Sequence, residues 1–322
     1  MTEKTAQKEV VRDVINGIFI SVLIFSSGFY VPLLGFFLNL LMPMPVIFYR
    51  LKLGRKLGLL IMAAVFAVII AATGGITIDI IFYGLLLLTG FFLGEFIEMQ
   101  IPVEQTILYT CIATLAAGGL CFFLYSLIKG EGIFSLVSGY IAASLDMTIK
   151  IYTDIGIPKE NIEIISRSLE TIQYVLVRIL PSIIAAMLMI TTWANVLIIR
   201  TILTKKGIRL NQLESLDKWQ AKDQLVWPVI VSFLMLLVPE KTIKLIGLNF
   251  VIILMPVYFF QGMAIISFFF QKKNFPKIVK FFIYSIIAIQ QIFIPLIIGI
   301  GFFDTWIDFR KLKVLNTPEG QE

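Results

Sequence analysis

The stretch from Thr171 to Ile199, TIQYVLVRILPSIIAAMLMITTWANVLII, holds 29 residues with one charge, Arg178, and one helix breaker, Pro181. As a continuous helix it would run about 43 Å, against a hydrocarbon core of about 30 Å, so it either tilts strongly or begins outside the core. Pro181 favours the second arrangement, because a proline is tolerated in the first turn of a helix, where no N–H is needed. The spacing predicts a span opened by Pro181, with Arg178 at the boundary and the basic run Arg200, Lys205, Lys206 and Arg209 on the cytoplasmic side. The topology of the rest of the chain follows from this helix.

Composition agrees. The chain is 58% apolar with a mean hydropathy of +0.93, above the roughly 45 to 50% apolar content of soluble domains. The net charge of +6 resides in short loops between apolar runs, which is the positive-inside pattern and excludes a nucleic-acid groove. Histidine is absent, removing the usual general base and the commonest metal ligand. H-E-x-x-H and Ser–His arrangements are therefore impossible, and G-x-S-x-G and Walker A motifs are also missing. No catalytic residue, metal or cofactor is expected, and the chain reads as a non-enzyme. Cys111 and Cys121 lie ten residues apart in one apolar run, about 15 Å along a helix, too far to bridge.

Taken in order, apolar spans are expected at Val14–Tyr30, Val31–Phe48, Leu57–Thr73, Ile80–Ile97, Thr106–Ile128, the organising stretch, Leu245–Phe270 and Phe281–Phe303. A half-length apolar segment from Pro228 to Val238 decides between eight and nine crossings. Ala63, Ala67, Ala71 and Gly75 form a small-residue stripe, and Gly90 and Gly94 repeat the spacing; such faces admit a neighbouring backbone, within the bundle or from another membrane protein. Glu95 and Glu98 share a helix face at i+3, and with no histidine to complete a site they read as a solvated helix end. Between Lys129 and Glu170 the hydropathy falls, and apolar residues recur at helical spacing on both sides of the IGIPKEN turn, implying two interfacial amphipathic helices.

Counting Lys and Arg tests the layout: 17 of the 27 fall in segments assigned inside and 9 outside, which supports a cytoplasmic N-terminus. The expected architecture is an all-α polytopic membrane bundle of eight or nine spans forming a single domain over residues 1–322. It carries a cytoplasmic tail at 1–13, an outer-face insert at 129–170, a cytoplasmic loop at 200–226 and a polar tail at 311–322.

Polar residues inside spans are functional suspects because lipid penalises them, although neutral amides often only bridge helices. Arg178, Asn249 and Gln261, with Asp146 and Asp154 from the amphipathic insert, are the candidate contacts of a solute pocket on the outer side, with the insert as its lid. The closing DTWIDFR places Asp304 and Asp308 at i+4, and Arg310 could answer either, or the group is simply a charged boundary ending the last helix.

The motifs LLMPMPVIFYR, LPSI, Trp219 with Pro228, GLNF followed by PVYFFQG, and GFFDTWIDFR, in that order, resemble the YybS-like family of bacterial membrane proteins of unknown function. That family is distantly similar to the substrate-binding membrane components of energy-coupling-factor transporters. The resemblance implies a multi-pass protein of the bacterial inner membrane and a small-molecule ligand of unspecified class; it transfers no site residues. Two functions stand: small-solute binding or transport, and a non-transporting scaffold that recruits partners through small-residue faces. The partners expected are the bilayer and another membrane protein, not nucleic acid. In a cysteine-free background, a cysteine at Lys205 is expected to resist an impermeant thiol reagent in intact cells while one at Lys159 reacts; reversed labelling contradicts the layout.

Overall fold

The computed structural model describes residues 3–205 and 216–312. The expected cytoplasmic positions Lys206 and Arg209, part of the 200–226 loop, and nearly all of the 311–322 tail lie outside the described residues. Among the described residues the regular elements are helices, and the chain divides into two compact units. The first comprises Met1–Gln173 and Met187–Leu213, the second Tyr174–Ala186 and Glu214–Glu322.

In the first unit α1 (Glu3–Tyr30) is followed by α2 (Pro32–Leu41), α3 (Pro43–Leu53), α4 (Arg55–Thr73), α5 (Ile78–Glu98) and α6 (Val103–Lys129). The expected second span is thus two short helices. Pro43 and Pro45 lack N–H groups and withdraw the donors that would continue α2, so the chain restarts with Pro43 as the first residue of α3. The two short helices still return along α1: Lys52, in the last turn of α3, pairs with Asp13 of α1 at 2.6 Å. The core here is built from Phe25, Val46, Ile61, Val65 and Leu87, contributed by α1, α3, α4 and α5. Close approach depends on missing side chains. A Cβ on Gly17 would stand 2.9 Å from the Tyr49 ring, and one on Gly90 would meet the carbonyl of Pro43.

The amphipathic insert forms α7 (Ile133–Asp154) and α8 (Lys159–Arg167), separated by Gly156 in the left-handed region at φ 79°. It meets the end of α5 remote from Glu95: the Tyr140 hydroxyl donates to Asp79 at 2.7 Å, and Gln173 donates to Ser138. Met147, Ile151, Ile155 and Ile164 remain exposed. Next comes α9 (Leu169–Lys205), which contains Pro181 in its interior, so the expectation that Pro181 opens the span is corrected. A proline there leaves the carbonyl of Val177 without its usual donor, and the Ser182 hydroxyl bonds the nearby Ile179 carbonyl at 2.7 Å.

In the second unit two 3₁₀ turns (Leu216–Lys218 and Asp223–Leu225) lead into α10 (Val226–Leu237), α11 (Lys241–Lys272), α12 (Lys277–Ile289) and α13 (Phe293–Ile307). Glu240 caps α11 by accepting from the Ile243 N–H, a bond that holds its carboxyl below the usual range. α10 lies antiparallel along α11, and α13 crosses α11 near Gly262. Ser232 and Met235 face Gly247, while Ile297 and Tyr258 face Gly262 and Gly301.

Among the described residues six helices are long and apolar enough to cross a membrane, and up to seven if α12 and α13, bent by 108°, form one broken span. The count of eight or nine is not reached, because it took α2 with α3 as one span and α10 as a possible ninth. A Cβ on Gly301 would collide with the Tyr258 carbonyl, whereas nothing lies within 4 Å of one on Gly119. Gly301→Ala is therefore expected to cost about 1 to 3 kcal/mol in detergent unfolding, and Gly119→Ala to be neutral or stabilising by up to about 1 kcal/mol.

Candidate functional site

The second unit buries an ion pair. Arg310 donates from Nη2 to Asp304 Oδ2 at 2.8 Å, and both side chains are 0% exposed. Gln261 of α11 donates to the same carboxylate oxygen at 3.2 Å and accepts from the Ala221 N–H at 3.3 Å. The other oxygen, Asp304 Oδ1, accepts from the Phe309 N–H at 2.9 Å. Arg310 Nη1 donates to the carbonyls of Asp217 and Trp219, so the guanidinium also ties down the first 3₁₀ turn. Its Nε is buried and has no hydrogen-bond partner among the described residues.

Local geometry at the end of α13 makes this possible. Asp308 takes the left-handed conformation at φ 44°, which aspartate tolerates better than most residues. The chain turns back there, carrying Arg310 to Asp304 six residues earlier. Asp308 itself accepts from the Leu312 N–H. The choice left open by the sequence is thus made in favour of Asp304.

The position of the centre along α11 matters. Gln261 lies about 5 Å beyond the midpoint of the apolar stretch 245–270. Val226 at the start of α10 packs with Leu254 and Tyr258, and α13 ends beside the same region, since Gly301 faces Tyr258. Two half-length helices therefore reach the middle of a membrane-length helix, and the non-helical backbone there is held by Arg310 and Gln261. Beside it, Val229, Phe233, Met255, Tyr258, Ile298 and Phe302 line an apolar groove of about 690 Å³.

The first unit has a second charged cluster. Arg50, 1% exposed, donates from Nη2 to Glu95 and Glu98, each at 2.7 Å, and Arg55 approaches Glu95 at 3.6 Å. Gly58 and Gly94 leave room for its stem, since a Cβ on either would come within 2.9 Å of Arg50 atoms. The reading of Glu95 and Glu98 as merely a solvated helix end is corrected: they neutralise a buried cation supplied by α3.

Asp146, Asp154 and Arg178 are exposed, and Arg178 stacks on the Tyr174 ring at 3.5 Å while donating to its carbonyl. Asn249 donates within its own helix to Leu245, and none of the five lines the apolar groove. Gln261 alone joins a charged centre. Of the packing residues, Gly90 and Gly94 face α3, whereas Ala63, Ala67 and Ala71 are exposed on α4, whose buried face is Gly58, Ile61, Val65 and Ile69. Gly75 has no atom near its Cβ position. Asp304 and Arg310 are marked in the sequence as a possible pair but not as solute contacts, and for the Arg50 cluster the signals are a basic run after two prolines and an i+3 glutamate pair.

Membrane-length apolar helices whose buried charges are matched internally define a polytopic helical membrane protein. The chain belongs to the family described as "Predicted membrane protein (DUF2232)", which matches it over residues 19–305. No curated protein and no solved structure matches it.

Removing one partner of a buried pair leaves an uncompensated charge. Asp304→Leu or Arg310→Met alone is expected to cost about 3 to 5 kcal/mol in unfolding measurements, and the double variant to recover most of that.

Proposed function

We propose that the protein binds, and moves, a small polar solute at the Asp304–Arg310–Gln261 centre. The observation that carries this reading is the buried Arg310 guanidinium with one nitrogen, Nε, left for an acceptor group near the middle of a membrane-length helix. Ionisable groups at such depth are expensive, and in membrane proteins they mark substrate and ion pathways. Half-length helices whose ends meet at mid-depth suit this use, because irregular backbone is tolerated there only where protein or a water-filled cavity satisfies it. The solute favoured by this geometry offers a carbonyl or carboxylate oxygen. Of the five solute contacts expected from the sequence, this reading keeps Gln261.

The resemblance to the YybS-like family and to energy-coupling-factor substrate-binding components favours the same class of function. The proposed setting is the bacterial cytoplasmic membrane with the N-terminus inside, as the distribution of basic residues favours, and the α7–α8 insert outside. A second reading, a non-transporting scaffold, draws on the exposed Ala63–Ala67–Ala71 face of α4.

Native mass spectrometry of the protein purified in nanodiscs tests the choice. The solute reading expects a retained small molecule in the wild type, and its loss by tenfold or more (about 1.4 kcal/mol) in Gln261→Ala and Arg310→Lys variants that keep wild-type unfolding profiles. If the wild type retains nothing and both variants fully complement a deletion strain, the scaffold reading replaces it.

A further inference from the structure

In the wall of the second unit's apolar groove one polar group has no answer among the described residues. Tyr258 lines the groove and is 1% exposed, and its hydroxyl is buried with no hydrogen-bond partner there. The Phe302 ring, also in the wall, meets the Tyr258 ring edge-on at 5.3 Å and so helps to hold the hydroxyl in place. Val229, Phe233, Met255 and Ile298 offer it no strong side-chain acceptor. A buried donor left unmatched costs more than a made bond gains, so the hydroxyl points to a missing acceptor.

The surroundings narrow what can supply one. At about 690 Å³ the groove falls within the roughly 300 to 1,000 Å³ of small-molecule sites. Phe233 and Leu237 on α10 are 49% and 78% exposed, so its rim opens on the apolar surface that meets lipid. Depth excludes the ester of a phospholipid: Tyr258 stands at the middle of the apolar stretch 245–270, about 15 Å from the edge of the hydrocarbon core. Charge disfavours an anionic head, because the Asp223 carboxylate acts electrostatically on the same hydroxyl. What fits is a neutral molecule that dissolves in the bilayer core and carries an oxygen acceptor.

We infer that the groove binds a neutral lipophilic carbonyl compound. Its oxygen accepts from the Tyr258 hydroxyl, and its apolar body lies against Phe233, Ile298 and Phe302. The inference rests on the groove and not on the Asp304–Arg310–Gln261 centre. One hydrogen bond separates this ligand from a hydrocarbon of equal length, a preference of about fivefold.

The test places full-length protein in nanodiscs with methyl pentadecyl ketone carrying carbon-13 at its carbonyl, whose resonance moves downfield when the oxygen accepts a hydrogen bond. The wild type should show a displaced resonance that saturates at one ketone per chain and is absent from empty nanodiscs. Unlabelled ketone should compete for it about fivefold better than heptadecane, and better than palmitate. Tyr258→Phe should lose the displaced resonance at an unchanged unfolding temperature, and Ile298→Trp, which fills the groove, should lose it too. Tyr109→Phe, on α6 of the first unit, should keep it. No displaced resonance in the wild type overturns the inference, as does one that survives Tyr258→Phe or is lost equally in Tyr109→Phe. A marked loss of stability in Tyr258→Phe shows the hydroxyl already matched within the protein, and palmitate competing as well as the ketone removes the neutral head; either overturns it. Self-association abolished by Ile298→Trp, with no ketone bound to the wild type, overturns it in favour of a second copy.

Discussion

A charge removed from water must be matched, and in this protein two buried arginines set much of the structure by that requirement. Arg310 fixes where α13 stops, which way the chain turns after Ile307, and where the 3₁₀ turn at Leu216–Lys218 lies, because its nitrogens bond Asp304 and the carbonyls of Asp217 and Trp219. Arg50 does the same in the first unit, joining α3 to the end of α5 through Glu95 and Glu98. Neither pair need add much net stability, since desolvation offsets most of the attraction. Their effect is on register: any slip of α13 along α11, or of α3 along α5, strands an ion in a medium that cannot solvate it.

Backbone chemistry imposes the second constraint. Within lipid an interrupted helix exposes carbonyls and N–H groups that only protein or enclosed water can satisfy. The break between α2 and α3 follows from Pro43 and Pro45, and a substitute contact is visible nearby: Asn195 donates to the Leu40 carbonyl at 2.7 Å. The break between α12 and α13 falls at Gln290–Ile292, with Pro295 in the first helical turn beyond it, where no donor is required. In both places small residues admit the displaced elements: Gly90 faces the Pro43 carbonyl, and Gly262 and Gly301 accommodate α13.

Much of this was legible in the sequence. Hydropathy located the helices because each long apolar run is consistent with only one element type in lipid, and the turn around IGIPKEN was visible in Gly156 and Pro158. Prolines were read less well. Pro181 satisfies the same local rules at the first turn of a helix as inside a longer one, and only the continuous helix from Leu169 to Lys205 distinguishes them. The span count was read too high for a related reason: summed hydropathy does not register a break, so α2 with α3 scores as one straight crossing. The candidate site was legible in only one residue, Gln261. For Arg310 and Asp304 the sequence left pairing and a charged boundary both open, because burial depends on the left-handed turn at Asp308, which no periodicity encodes. Arg178, the most conspicuous charge in the sequence, turns outward onto Tyr174.

The solute reading and the register argument both require that the Asp304–Arg310 pair lie within the bilayer rather than at its edge. Cryo-electron microscopy of the protein in nanodiscs, where the two leaflets are visible as density, measures this directly. The account predicts the Arg310 guanidinium bonded to Asp304 and Gln261 at a level within about one helical turn, roughly 5 Å, of the bilayer mid-plane. Arg310 found at the headgroup level, hydrated and separated from Asp304, would contradict it.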